Sequence, residues 1–168
     1  MRIYHYTKGI HLKSILKDGF IATEKKRSLN TKEQFFTDLV WLTESKKIPN
    51  TVIPEIPAIP STHTHILGKI KNVIVDYASI EPYFDGFYRF SFDSNDHNFE
   101  KWFFSNAREE AYRRSVNFNL DQIAKKIGDD IRLFWISEKD IPLERFTLER
   151  FLIADNTWID VDPGSIVF

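Results

Sequence analysis

The chain has no cysteine. That absence excludes a disulfide framework, a thiol nucleophile and any zinc or iron–sulfur centre held by thiolates, and it fits a reducing compartment. No apolar run approaches the roughly 20 residues that a helix needs to cross a bilayer. Nor is there an excess of charge of one sign. With 23 basic and 24 acidic residues the net charge is -1, so no global field draws the chain toward nucleic acid or an anionic membrane. Glycine is sparse, six residues in 168, and no Gly-rich phosphate loop, Gly-x-Ser-x-Gly elbow or His-Glu-x-x-His helix occurs. The opening residues, with Arg2, Tyr4 and His5, lack the pattern of a secretory signal. A cytoplasmic protein of one domain, spanning 1–168, is the expectation.

Aromatic residues are plentiful: 15 Phe, 6 Tyr and 4 Trp. Most of these rings must form core, because each brings a large apolar area. Residues 2–6 alternate apolar and polar and predict a strand. Ile10, Leu12, Ile15 and Leu16 recur near helical spacing, and Gly19 supplies a left-handed stop. Residues 20–23 read as extended, residues 24–37 as a charged surface loop, and Leu39 to Thr43 as a buried strand. Pro49, Pro54, Pro57 and Pro60 then mark a proline-rich loop around 48–61, either ordered over the domain or acting as a lid.

Further strands are predicted at 65–67, 72–76, 86–92, 131–136, 146–153 and 157–161. Helical structure is predicted within 99–112 and from an Asn119 cap through Ile127 to Gly128. Few helices among sequence-adjacent strands indicate an α+β fold with a largely antiparallel or split sheet.

Three segments carry chemistry-bearing residues. The triplet His5-Tyr6-Thr7 ends the first strand, directly before the Leu12-to-Gly19 helix, and is read as a rigid polar shelf suited to a nucleotide sugar. Val40-Trp41-Leu42-Thr43 is the second segment, and Trp135-Ile136-Ser137-Glu138 before Ile141-Pro142 is the third. Together they resemble the ADP-ribosyltransferase-like superfamily. The opening is most similar to RNA 2'-phosphotransferases and DNA-targeting ADP-ribosyltransferase toxins, and the late segment to small uncharacterised bacterial and phage proteins of that group.

The resemblance implies a split, mainly antiparallel sheet with a few packed helices, and NAD as substrate. It implies that His5 bonds one of the two NAD riboses, that Tyr6 and Thr7 hold the nicotinamide edge, and that Trp41 and Thr43 pack beside that ring. Glu138 would bond the nicotinamide-side ribose. The chain departs from the family in having no arginine at the diagnostic pyrophosphate position, although Arg27 is available, and in lacking an acidic loop before the carboxylate.

The chemistry suits these residue types. Cleaving nicotinamide from ribose moves positive charge onto the sugar, as in glycoside cleavage, and a carboxylate beside the sugar favours that state. His5 and Glu138 are therefore the candidate catalytic pair, with Tyr6, Thr7, Arg27, Trp41 and Thr43 as candidate NAD-binding residues. The expected activity is ADP-ribosyl transfer or NAD glycohydrolysis, with the acceptor open. The alternative is a non-catalytic module of the same fold that binds a nucleotide or a protein.

Each residue also has a structural reading. His5 would be a hydrogen-bonded strand-end residue, Tyr6 and Trp41 core rings, and Glu138 part of a solvated turn. His63 and His65 share a face if their segment is a strand, but two ligands are too few for a metal, and none is expected. Arg113 and Arg114, near Glu109 and Glu110, read as a solvated helix face, so contact with nucleic acid has little support.

Overall fold

A computed structural model describes residues 1–23, 39–49, 85–109, 124–125 and 128–166. The strands are β1 (Arg2–Lys8), β2 (Phe20–Ile21), β3 (Val40–Thr43), β4 (Phe87–Asp93), β5 (Glu100–Lys101), β6 (Phe134–Ser137), β7 (Ile141–Pro142), β8 (Thr147–Leu152) and β9 (Thr157–Asp160), and the helix α1 is Gly9–Asp18. Seven strands form one sheet in the order β5-β6-β3-β1-β4-β8-β9, while β2 and β7 form a second, two-stranded sheet. Every pairing is antiparallel. With α1 and only short helical pieces otherwise beside this sheet among the described residues, the fold class is α+β, as the sequence predicts. No described helix is long and apolar enough to cross a membrane.

Strand alternation sorts the large sheet into two faces, because residues paired across strands point to the same side. Ile3, Val40, Leu42, Phe90, Phe92 and Leu148 share the first face and pack with Leu12 of α1, Ile21 and Ile141 into one core cluster. On the second face, Phe134 and Ile136 join Leu39, Trp102, Ala107 and Ala124 in another. Burying each of the larger side chains contributes about 1.5–3 kcal/mol.

The turn from β1 into α1 depends on Gly9. Its N–H donates to the Gly86 carbonyl at 2.9 Å, and a Cβ there would lie 1.8 Å from the Asp85 carbonyl oxygen. At the far end Gly19 adopts φ 74°, and its N–H donates to Ile15. Of the apolar residues expected on the inner face of α1, Ile10 is exposed. It precedes Leu12 by two positions, which is more than half a turn around the helix axis.

One expected strand changes. The predicted strand 131–136 begins as a 3-10 turn over Ile131–Leu133, and only Phe134 onward is extended. Asp130 is the cause: its carboxylate accepts the Arg132 N–H at 3.0 Å and the Arg132 guanidinium at 2.9 and 2.7 Å, a local arrangement that competes with the sheet ladder. Helical structure occurs within part of 99–112 as expected, in the 3-10 turn Trp102–Phe104 and at 106–109, next to the short strand β5 at residues 100–101. The strands expected at 65–67 and 72–76, His63, His65, Arg113, Arg114 and the proline-rich loop from residue 50 onward lie outside the described residues, as does most of the helix expected after Asn119.

Candidate functional site

The three chemistry-bearing segments, far apart in sequence, occupy neighbouring strands. β1 carries His5-Tyr6-Thr7 but runs on to Lys8, so the triplet lies within the strand and not at its end as expected; β3 carries Trp41 and Thr43, and β6 ends at Ser137, immediately before Glu138. The registers Tyr4↔Thr43 and Val40↔Ser137 put the C-terminal ends of β1 and β6 at the same end of the sheet.

Toward that end the ladder between the two central strands stops. β1 pairs with β4 along its whole length, from Arg2↔Asp93 to Lys8↔Phe87, and β3 pairs with β6 from Val40↔Ser137 to Thr43↔Phe134. Between β1 and β3 pairing is confined to Tyr4↔Thr43. Past that pair, the His5 imidazole bridges the strands through Nδ1, 2.9 Å from the Trp41 carbonyl oxygen. A carbonyl only accepts, so Nδ1 carries the proton in this contact. Burial holds the His5 pKa below its ordinary value, against the opposing pull of the Trp41 carbonyl. The neutral ring therefore keeps an Nε2 lone pair, which no hydrogen bond among the described residues uses. The arrangement offers an acceptor for a ligand hydroxyl where the β1–β3 ladder stops.

Strand alternation divides the triplet that reads as one shelf in the sequence. His5 and Thr7 share the first face, whereas Tyr6 belongs to the second. The Tyr6 hydroxyl donates to the Ser45 carbonyl at 2.6 Å, and its ring lies 5.5 Å from that of Trp158. Burial raises the Tyr6 pKa despite the nearby Arg89, so the phenol stays protonated. Trp41 and Thr43 share its face. The Trp41 ring packs 4.9 Å from Trp102 and 6.2 Å from Phe134, and Thr43 Oγ1 accepts the Ser45 N–H at 3.1 Å. These three side chains are engaged in packing and local hydrogen bonds, and it is the main chain of Trp41 that meets His5. Glu138 is exposed at the start of a turn. Arg27 lies outside the described residues.

A buried ion pair on the second face was not anticipated from the sequence. Arg89 Nη2 and Nε donate to the two Glu149 carboxylate oxygens at 2.6 and 2.8 Å. The guanidinium carbon lies 4.3 Å from the centres of both the Tyr4 and Trp158 rings, and Nη1 donates to the Lys46 carbonyl at 3.0 Å. Burial alone would lower the Arg89 pKa, but the bonds to Glu149 and Tyr6 outweigh it and the net shift is upward. All three guanidinium nitrogens have partners, so this group anchors the loop after β3 and the outer strands to β1. The signal for it in the sequence is a single arginine inside the otherwise uncharged, aromatic-rich run Phe87 to Phe92.

Compared with known proteins, the chain matches no family model, no curated protein and no solved structure.

Proposed function

We propose that the protein binds NAD at the end of the sheet where the β1–β3 ladder stops, breaks the bond between nicotinamide and ribose, and passes ADP-ribose to an acceptor or to water. The observation that carries this reading is the side-by-side arrangement of β6, β3 and β1, whose sequences hold the three segments similar to ADP-ribosyltransferases. The short ladder between β1 and β3, a single residue pair, is compatible with it, although the two strands remain neighbours in one seven-stranded sheet. His5 Nε2 accepts a ribose hydroxyl while Nδ1 stays fixed on Trp41. Thr7, on the same face, lies along the path of the bound nucleotide. Glu138 favours the cationic sugar. When the C1'–N bond breaks, its electron pair leaves with neutral nicotinamide, and the acceptor bonds to C1' and releases a proton.

A second reading, binding without turnover, draws on the exposure of Glu138, since a carboxylate in water stabilises charge less than one in a dry site. Incubating the purified chain with NAD separates the two. Nicotinamide release at a rate proportional to protein supports transfer or hydrolysis. A higher melting temperature with no nicotinamide supports binding alone, and no response to NAD on either measure rejects both.

A further inference from the structure

Glu138 projects from a turn, residues 137–140, that is exposed yet pinned at both ends. Ser137 Oγ donates to the Lys139 carbonyl at 2.7 Å and accepts the Lys139 N–H at 3.2 Å, closing the turn on itself. At the other end Asp140 Oδ1 accepts two hydrogen bonds from one residue, the Thr23 N–H at 2.7 Å and the Thr23 hydroxyl at 3.1 Å. The next residue, Ile141, is buried and pairs with Ile21 in the small sheet, and Leu143 N–H donates to the Gly19 carbonyl at 2.8 Å. The segment following α1 and the segment following β6 are thus tied together across 117 positions of sequence. The tie falls two residues beyond Glu138.

An exposed turn ordinarily samples many backbone states, and a side chain that must meet a reacting sugar loses rate when its backbone wanders. We propose that Asp140 is a positioning residue: by locking onto Thr23 it fixes the backbone from which Glu138 projects, at the end of the sheet where the β1–β3 ladder stops. This inference rests on the NAD reading above. Both Thr23 donors are neutral and a single Asp140 oxygen receives them, so the role needs an acceptor at that place and not a negative charge. An asparagine oxygen meets that need, whereas alanine does not.

The test measures kcat and KM for nicotinamide release from NAD in the full chain and in D140A, D140N, E138Q and the E138Q/D140A double variant, each corrected for its folded fraction. D140A is expected to lower kcat about tenfold to a hundredfold, the scale of a misplaced catalytic group, with KM little changed. D140N should stay near the unsubstituted chain. D140A should also cost nothing further once Glu138 is Gln, because the carboxylate it positions is gone. Additive losses in the double variant, or D140N as impaired as D140A, would overturn the proposal. An active chain with a fully active D140A overturns this role alone, whereas a chain inert toward NAD overturns the NAD reading and this role with it. Should D140A fail to fold, Thr23→Val deletes the hydroxyl donor only and carries the same test, with a smaller kcat loss that must vanish in the E138Q background.

Discussion

Arg89 and Glu149 meet fork to fork between β4 and β8, in register and with 6% and 8% of their surfaces exposed. Two parallel charge-assisted bonds satisfy the carboxylate while the Tyr4 and Trp158 rings flank the guanidinium. Removing one member of such a pair leaves the other charge buried without its counter-ion, which outweighs the modest net value of the intact pair. Glu149→Gln should therefore destabilise the fold by about 3–5 kcal/mol. Urea unfolding checks this through the midpoint at constant m value. A loss under about 1 kcal/mol would mean that water reaches Arg89 and that the pair is a surface contact in energetic terms.

Gly9 gives a prediction whose sign is informative. Gly→Ala near the start of a helix ordinarily stabilises by about 0.4–1 kcal/mol, because it restricts the unfolded chain. Here the added methyl would fall on the Asp85 carbonyl, and the backbone bond from Gly9 to Gly86 would have to stretch to relieve it. Gly9→Ala should instead cost about 1–3 kcal/mol, as overpacking does. A thermal melt showing equal or higher stability would mean that the junction between β1 and α1 can shift.

His5 ties stability to pH. Its pKa in the folded state is lowered, first by burial, from an ordinary value of 6.5. Above that value the ring is neutral in both folded and unfolded chains and contributes no pH dependence. As pH falls through 6.5 the unfolded chain binds a proton that the folded chain resists, so stability declines until the folded-state pKa is passed. His5→Gln removes the titration, and its stability should fall less than that of the unsubstituted chain between pH 7.5 and pH 5.5. Parallel curves from urea midpoints across that range would show that His5 protonates freely in the folded protein.

Local patterns made part of this architecture readable. The apolar alternation of β1, the helical spacing ended by Gly19, and the aromatic run of β4 each specify their own backbone with neighbouring residues alone. The 3-10 turn at Ile131–Leu133 escaped because one side chain, Asp130, redirects the backbone of an apolar segment that otherwise suits a strand. The site was legible as three segments but not as a set of facing side chains. His5 and Tyr6 adjoin in sequence, yet a strand sends them to opposite faces, and Tyr6, Trp41 and Thr43 turn out to pack away from the imidazole. The Arg89–Glu149 pair lies 60 positions apart, and no periodicity connects the two.

Glu138 and His5 should separate stability from turnover in opposite senses. The Glu138 carboxylate is exposed, so Glu138→Gln should change stability by no more than about 0.5 kcal/mol. In the proposed reaction the same change removes a charge that matters only as the ribose becomes cationic, which is worth about 2–4 kcal/mol of transition-state stabilisation. Nicotinamide release should then fall by about two to three orders of magnitude in kcat with KM nearly unchanged, because NAD in its ground state gains little from that charge. His5→Ala should behave differently: it deletes the bridge between β1 and β3 as well as the ribose acceptor, so both the melting temperature and the affinity for NAD should drop. Steady-state kinetics and calorimetric melts on the two variants decide the matter. If Glu138→Gln melts far below the unsubstituted chain, the carboxylate is a structural part of its turn. If it instead turns over NAD at full rate, the charge that favours the cationic sugar must come from another residue.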